Sequence, residues 1–307
     1  MRLWIAGEQG RDLMGPVPDG VEVQVLPAWD APMPGDPATV EFWVPPLLGG
    51  ADTVALTRRM PGLRVVQLLS AGADAWVGQL DSGVTLCDAR GVHDVDVAEW
   101  VVAAILSSLR RLDYLARAQH EHRFAHADVG DADELSGKHV IIVGAGSIGQ
   151  ATAVRLAPFG VRLTYVAHTA HDGMHSVGDL PQLLPQADIV VLLLPLTAQT
   201  RGMVNAAFLA AMADGALLVN AARGPVADTE ALVKELSTGR IRAALDVTDP
   251  EPLPADHPLW DMPNVLYTPH IGGGTRGVLP RAYRLVADQV RRYTAGQPLI
   301  NKVEGGY

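Results

Sequence analysis

At 307 residues the chain is longer than one hydrophobic core usually serves, so two domains are the first expectation. Hydrophobic residues at 48% and charged residues at 19% exclude wholesale disorder, and a formal net charge of −10 excludes a nonspecific nucleic-acid or anionic-membrane binder. The longest stretch free of Asp, Glu, Lys and Arg is the 16-residue, glycine-broken run 139–154, too short to span a bilayer. Glu8, Arg11 and Asp12 precede any apolar segment, so no signal peptide is read. A single cysteine, Cys87, allows no intrachain disulfide framework, and a cytoplasmic α/β enzyme is expected.

In chain order, short apolar runs alternate with longer amphipathic stretches, the pattern of βαβ units and a parallel sheet. Strands are predicted at residues 2–5, 21–26, 41–44, 65–69 and 84–87, with a helix over 51–60 closed by Pro61-Gly62. Asp94-Val95-Asp96-Val97-Ala98-Glu99 opens a helix running to about residue 119, capped by Asp94 or Asp96. Its apolar stripe is Val101, Val102, Ile105, Leu109 and Leu112. After a polar loop over 121–136, a second series follows, with strands at 139–143, 162–166, 189–194, 216–220, 243–246 and 265–268 and a helix over 280–294. The run Val190-Val191-Leu192-Leu193-Leu194 reads as a buried central strand. His120, His122 and His126 are spaced like metal ligands, but no cysteine or carboxylate cluster completes a site, so no metal is expected. Cys87 reads as a small core residue and Trp100 as helix packing.

The first motif with chemical content is Gly144-Ala145-Gly146-Ser147-Ile148-Gly149, between an apolar strand and a helix-forming segment. In such a loop the first glycine makes the tight turn and the second lets the backbone approach a pyrophosphate. The third lets the helix pack on the strand and aim its free N–H groups at the phosphates. The flanking strand and helix make this a dinucleotide site rather than a chance glycine pattern. At the end of the next strand, where a strict NAD binder places Asp or Glu, Ala167 stands, and no carboxylate follows until Asp172. A 2′-phosphate is then not repelled, and His168, Thr169 and His171 are candidate donors to it. NADP or NAD is expected, with NADP favoured.

Further on come Val219-Asn220-Ala221-Ala222-Arg223-Gly224, then Asp246, then Glu251-Pro252-Leu253-Pro254, and last Thr268-Pro269-His270-Ile271-Gly272-Gly273. Together with Gly144 to Gly149 and Leu194-Pro195-Leu196-Thr197, their order and spacing resemble the D-isomer-specific 2-hydroxyacid dehydrogenases over nearly the whole chain. The resemblance implies that Arg223 binds the substrate carboxylate and carbonyl, and that Glu251 and His270 form a proton-transfer pair. It also implies that Asp246 contacts the nicotinamide carboxamide, with Ala222, Gly272 and Gly273 beside the cofactor. Pro195 and Thr200 would form the adenosine-side wall, although Leu193 stands where relatives often carry histidine. In the first third, Leu69-Ser70-Ala71-Gly72-Ala73-Asp74 resembles the loop whose backbone N–H groups, here those of Ala71 and Gly72, hold the substrate carboxylate.

The chemistry asks for the same residue types. Hydride addition to a ketone develops negative charge on oxygen, which a proton donor must neutralise. A carboxylate beside a histidine favours imidazolium, and arginine offers a planar fork to a 2-keto acid carboxylate. The expected architecture is α/β: a doubly wound Rossmann parallel-sheet domain over 97–275 and a smaller flavodoxin-like substrate domain from 1–96 and 276–307. The chain crossings act as a hinge, with the site in the cleft. The resemblance further implies a homodimer. The expected substrate is a small 2-keto or 2-hydroxy acid such as glyoxylate or hydroxypyruvate, with no nucleic-acid or membrane partner. Alternatives are a phosphoglycerate dehydrogenase-type enzyme, whose relatives tend to carry arginine where Leu68 stands, and a non-catalytic dinucleotide-sensing protein.

Overall fold

Parallel strands alternate with helices along the whole chain, in a computed structural model that describes every residue except Trp29, Leu48, Gly49, Asp131, His171, Asp172 and 305–307. The chain divides into two units, Met1–His93 with Thr275–Tyr307, and Asp94–Gly274. In the first unit, β1 (Arg2–Ile5), β2 (Glu22–Val25), β3 (Phe42–Val44), β4 (Val65–Gln67) and β5 (Thr85–Cys87) pair in the order β2-β1-β3-β4-β5. This is the flavodoxin-type order, and all four ladders are parallel. Leu68 and Leu69, expected to extend β4, are 2% and 3% exposed but lie past its last residue. Burial continues there while the ladder does not. The helix read over 51–60 is α-helical only over Ala51–Leu56 and tightens to a 3-10 turn over Thr57–Arg59. Cys87 is fully buried, and burial pushes its thiol up to about 12. It is an inert core residue.

The helix expected to run unbroken to residue 119 is two helices, Asp94–Arg110 and Leu112–His120. Arg111 stands between them at φ 52. A left-handed residue ends the regular hydrogen-bond ladder and redirects the axis. The Leu109 carbonyl accepts instead from Asp133 N–H at 2.8 Å, and the Arg111 guanidinium lies 4.8 Å from the Tyr114 ring centroid. Val101, Ile105 and Leu109 are at most 1% exposed, as a core stripe requires. Leu112, assigned to the same stripe from sequence, is 51% exposed because the break rotates it off that face.

The second unit holds β6 (His139–Val143), β7 (Arg162–Ala167), β8 (His175–Ser176), β9 (Ile189–Leu192), β10 (Leu217–Asn220), β11 (Arg242–Leu245) and β12 (Val265–Tyr267). Their order is β12-β11-β10-β9-β6-β7-β8. Strand order reverses between β6 and β9, the doubly wound Rossmann arrangement, in which ligands bind outside the carboxyl ends of the strands at the reversal. Every residue of β6, β9 and β10 is buried, which explains why these strands read as continuous apolar runs. The two-residue β8 is too short to show any periodicity in sequence. Register aligns Val166, Val143, Leu192, Asn220, Leu245 and Tyr267 in one row across the sheet. The residues immediately after that row therefore emerge side by side at the carboxyl end. They include Gly144, Ala221, Asp246 and Thr268.

Candidate active site

The glycine loop follows β6 at the point of strand reversal. Gly144 has φ +111, and a Cβ there would overlap the Leu193 carbonyl beyond β9. A Cβ on Gly149 would overlap the Gly144 carbonyl, so the helix Ser147–Leu156 can press onto the loop only with glycine at that position. Gly146 differs: a Cβ there meets nothing within 4 Å, and it caps the helix without any side-chain cap bond. Ser147 and Ile148 form the first turn of this helix. Two glycines are fixed by protein contacts, and the middle one faces open space beside uncapped N–H groups. That is the cradle a nucleotide pyrophosphate fits. On the β9 side, Thr200 Oγ1 donates to the Pro195 carbonyl at 2.7 Å and accepts from Thr197 N–H at 2.8 Å, closing residues 195–200 into one turn.

Ala167 is the last residue of β7. His168 and Thr169 follow it on the surface, with His168 Nδ1 3.2 Å from Thr169 Oγ1. His171 and Asp172 lie outside the described residues.

Three loops of the second unit carry its other predicted residues. After β10, Asn220 Oδ1 accepts from Ala222 N–H at 3.0 Å and its Nδ2 donates to the Arg223 carbonyl at 3.2 Å. This Asx turn fixes the backbone from which the half-buried Arg223 side chain leaves, and one guanidinium N–H returns to the Ala222 carbonyl at 2.8 Å. A Cβ on Gly224 would overlap the Thr248 carbonyl, so the Arg223 loop lies against the loop leading to Glu251. After β12, His270 Nδ1 lies 2.6 Å from Glu251 Oε1, and the two side chains are 38% and 39% exposed. A carboxylate only accepts, so Nδ1 carries the proton and Nε2 is the ring nitrogen left for other work. His270 has φ 54. Asp246 is 3% exposed and accepts from Thr268 Oγ1 and from the N–H groups of Ile271 and Gly272. Gly273 is half-buried just beyond.

In the first unit, Ala71 and Gly72 sit in an irregular turn beyond β4. Ser70 Oγ donates to the Gly72 carbonyl at 2.8 Å, and Ala89 N–H donates to the Ser70 carbonyl at 2.8 Å. The Leu69 carbonyl accepts from His93 Nε2 at 2.9 Å. Asn220, Gly224 and Thr268 are supporting residues that stand in the quoted motifs but were given no role there. Only the asparagine at a strand end, a usual Asx-turn position, carried a local signal. Among the described residues no group of three or more His, Cys, Asp or Glu could hold a metal ion, and no helix is long and apolar enough to cross a membrane.

A doubly wound sheet with this cradle at its strand reversal marks a dinucleotide-binding protein of the Rossmann class. Residues 102–272 match the family model of the D-isomer specific 2-hydroxyacid dehydrogenase NAD binding domain. The chain belongs to that family and is an NAD(P)-dependent 2-hydroxyacid dehydrogenase. It is 39% identical over 243 residues to a glyoxylate/hydroxypyruvate reductase B of Citrobacter koseri, covering 75% of each chain. It is 36% identical over 261 residues to a glyoxylate reductase of Thermofilum pendens, covering 79% of this chain and 76% of the relative. Among solved structures, a D-isomer specific 2-hydroxyacid dehydrogenase from Xanthobacter autotrophicus Py2, in complex with NADPH and MES, superposes with TM-score 0.83 at 31% identity. That match covers 99% of this chain and 97% of the other.

Proposed function

We propose that the protein reduces glyoxylate, hydroxypyruvate or a similarly small 2-keto acid, using NADPH at least as well as NADH. The observation that carries the reading is the His270–Glu251 pair at 2.6 Å, held at the carboxyl end of the sheet that bears the nucleotide cradle. A nicotinamide nucleotide held in the cradle would supply the hydride. His270 gives its Nε2 proton to the oxygen that becomes the hydroxyl, while its Nδ1–H stays donated to Glu251, which holds the ring in place. Arg223 presents its guanidinium to the keto-acid carboxylate and polarises the carbonyl. Ala71 and Gly72 are proposed to offer backbone N–H groups to a substrate carboxylate, for which Gly72→Pro is the sharp test, because it removes a donor. Pro195, Thr200, Ala222 and Gly273 would line the nucleotide.

Small substrates are supported by the names of the relatives at 36–39% identity, and NADP by the absence of a carboxylate at Ala167 and by the NADPH complex of the Xanthobacter protein. A panel of 2-keto acids of increasing size, assayed with both nucleotides, tests the reading. Glyoxylate and hydroxypyruvate should give the highest kcat/KM, and a preference for a bulky keto acid would overturn it. No turnover with any small keto acid would overturn the substrate class proposed. We place the enzyme in the cytoplasm, the reducing compartment that its buried Cys87 thiol suits, as a homodimer assembled through the Rossmann unit. Phe124, 95% exposed, and Leu112, 51% exposed, supply apolar surface for that contact, which sedimentation would test.

A further inference from the structure

The geometry points to Asp246 as a positioning residue for His270, one whose carboxylate builds the turn that carries the imidazole. This inference rests on the reading of His270 as the proton donor. Asp246 directly follows β11, and His270 comes three residues after the end of the neighbouring strand β12. Asp246 Oδ1 accepts from Thr268 Oγ1 at 2.6 Å and from Ile271 N–H at 2.9 Å. Oδ2 accepts from Gly272 N–H at 2.7 Å, and the Asp246 backbone carbonyl accepts from His270 N–H at 2.7 Å. One residue thus binds the turn before, at and after His270.

Two further features show that the turn depends on these bonds. His270 holds φ 54, a region that L side chains avoid unless the surroundings impose it. Three of the four donors are backbone N–H groups of residues 270–272, so they fix the conformation itself rather than a side-chain rotamer. Gly272 is the second feature. A Cβ there would lie 2.8 Å from Asp246 Oδ2 and 3.4 Å from Trp100 Cγ, so glycine is what lets the carboxylate reach the Gly272 N–H. The carboxylate is 3% exposed, and the bonds to its two oxygens are charge-assisted. From the backbone so held, the imidazole reaches Glu251 with Nδ1 at 2.6 Å.

The test is Asp246→Asn. An amide keeps the shape but turns its NH2 group towards either Gly272 N–H or Ile271 N–H, so that two donors face each other. The expected result is a roughly 10- to 100-fold fall in kcat, with the Kd of NADPH within about threefold of wild type. A nucleotide Kd raised tenfold or more with kcat nearly intact would overturn the proposal and leave Asp246 as a cofactor contact. Thr268→Val removes one bond on the side of the turn away from Gly272, and Thr268→Ser restores it. A kcat loss in the valine variant that serine recovers, at unchanged Kd, supports the proposal, and full kcat in the valine variant overturns it. His270→Ala serves as the control for the underlying reading. If it keeps wild-type turnover, His270 is not the donor. If it is crippled while Asp246→Asn and Thr268→Val are not, only the positioning role fails.

Discussion

The two ends of the seven-stranded sheet are both rich in polar side chains, but they use them differently. At the amino end of the strands lies a cavity of about 600 Å³, lined by Arg111, Tyr114, Lys138, Asp188, Arg242 and Asn264 among others. Its charges hold the scaffold together. Lys138 pairs with Asp133 at 2.6 Å, Asp188 accepts from His139 N–H at 2.8 Å, and Arg242 donates to the Gly215 carbonyl at 3.1 Å. At the carboxyl end, Asn220 and Asp246 are tied into backbone turns, and those turns present Arg223 and His270. On the proposed assignment of the site, cavity volume does not locate the chemistry. The better guide is which polar groups are used to orient others.

The comparison breaks most readily at His270. His270→Ala should lower kcat/KM by about 100- to 10,000-fold while nucleotide binding measured by fluorescence titration stays close to wild type. Near-normal turnover between pH 6 and 8 would remove the carboxyl end from the chemistry. Next in size is a pair of glycine variants. In Gly224→Ala the new methyl meets the Thr248 carbonyl, so the Arg223 and Glu251 loops must separate. A displacement of that kind should cost about 100-fold in kcat. Gly215→Ala, at the amino end, has φ +77 but no neighbour within 4 Å. It should lose about 1 kcal/mol of stability from backbone strain and leave kcat unchanged. Steady-state kinetics beside thermal melts of both variants decide the matter. Equal effects on turnover would erase the distinction between the two ends.

What sequence could show of these two ends follows from how local each feature is. The Gly144 to Gly149 loop was legible because its steric demands are met within one strand-turn-helix, and the buried strands because continuous burial writes itself as apolar runs. Arg223, Glu251, Asp246 and His270 stood out only as a set in a familiar order. Nothing local to Gly224 said that it would touch Thr248, or to Thr268 that it would bond Asp246, since both contacts depend on β10, β11 and β12 lying side by side. The break at Arg111 was hidden for a different reason. The apolar spacing carries straight on from Leu109 to Leu112, and the end of the first helix is marked by the left-handed Arg111 and the tertiary bond from Asp133 to the Leu109 carbonyl.

A smaller effect is expected at the end of β7, where a residue type is missing rather than present. Ala167→Asp introduces a charge that repels a 2′-phosphate and accepts from ribose hydroxyls. It should move the ratio of kcat/KM for NADPH over NADH by about 10- to 100-fold towards NADH, as like-charge repulsion of several kcal/mol allows. A wild type that already prefers NADH strongly at pH 7 would mean that His168 and Thr169 contribute nothing to nucleotide choice.

The smallest effect belongs to the amino end and gives the comparison its sharpest control. Lys138 is the first cause, and the Glu134 N–H the second, that holds the Asp133 carboxyl below the usual carboxylate range. A carboxylate depressed in this way contributes stability above its unfolded value, near about 4, and loses it as pH falls through the lower folded value. Lys138→Met removes most of that contribution. The pair is partly exposed, at 23% and 41%, so solvent screening limits the loss to about 0.5 kcal/mol at pH 7. The difference from wild type should shrink as urea melts are repeated towards pH 3, because protonating Asp133 removes the same interaction from both proteins. Throughout pH 6 to 9 kcat/KM should stay within about twofold of wild type, since the paired charge is far above its titration range and orients no reacting group. A turnover defect that exceeds the stability defect would place a catalytic group at the amino end and overturn the contrast between the two ends of the sheet.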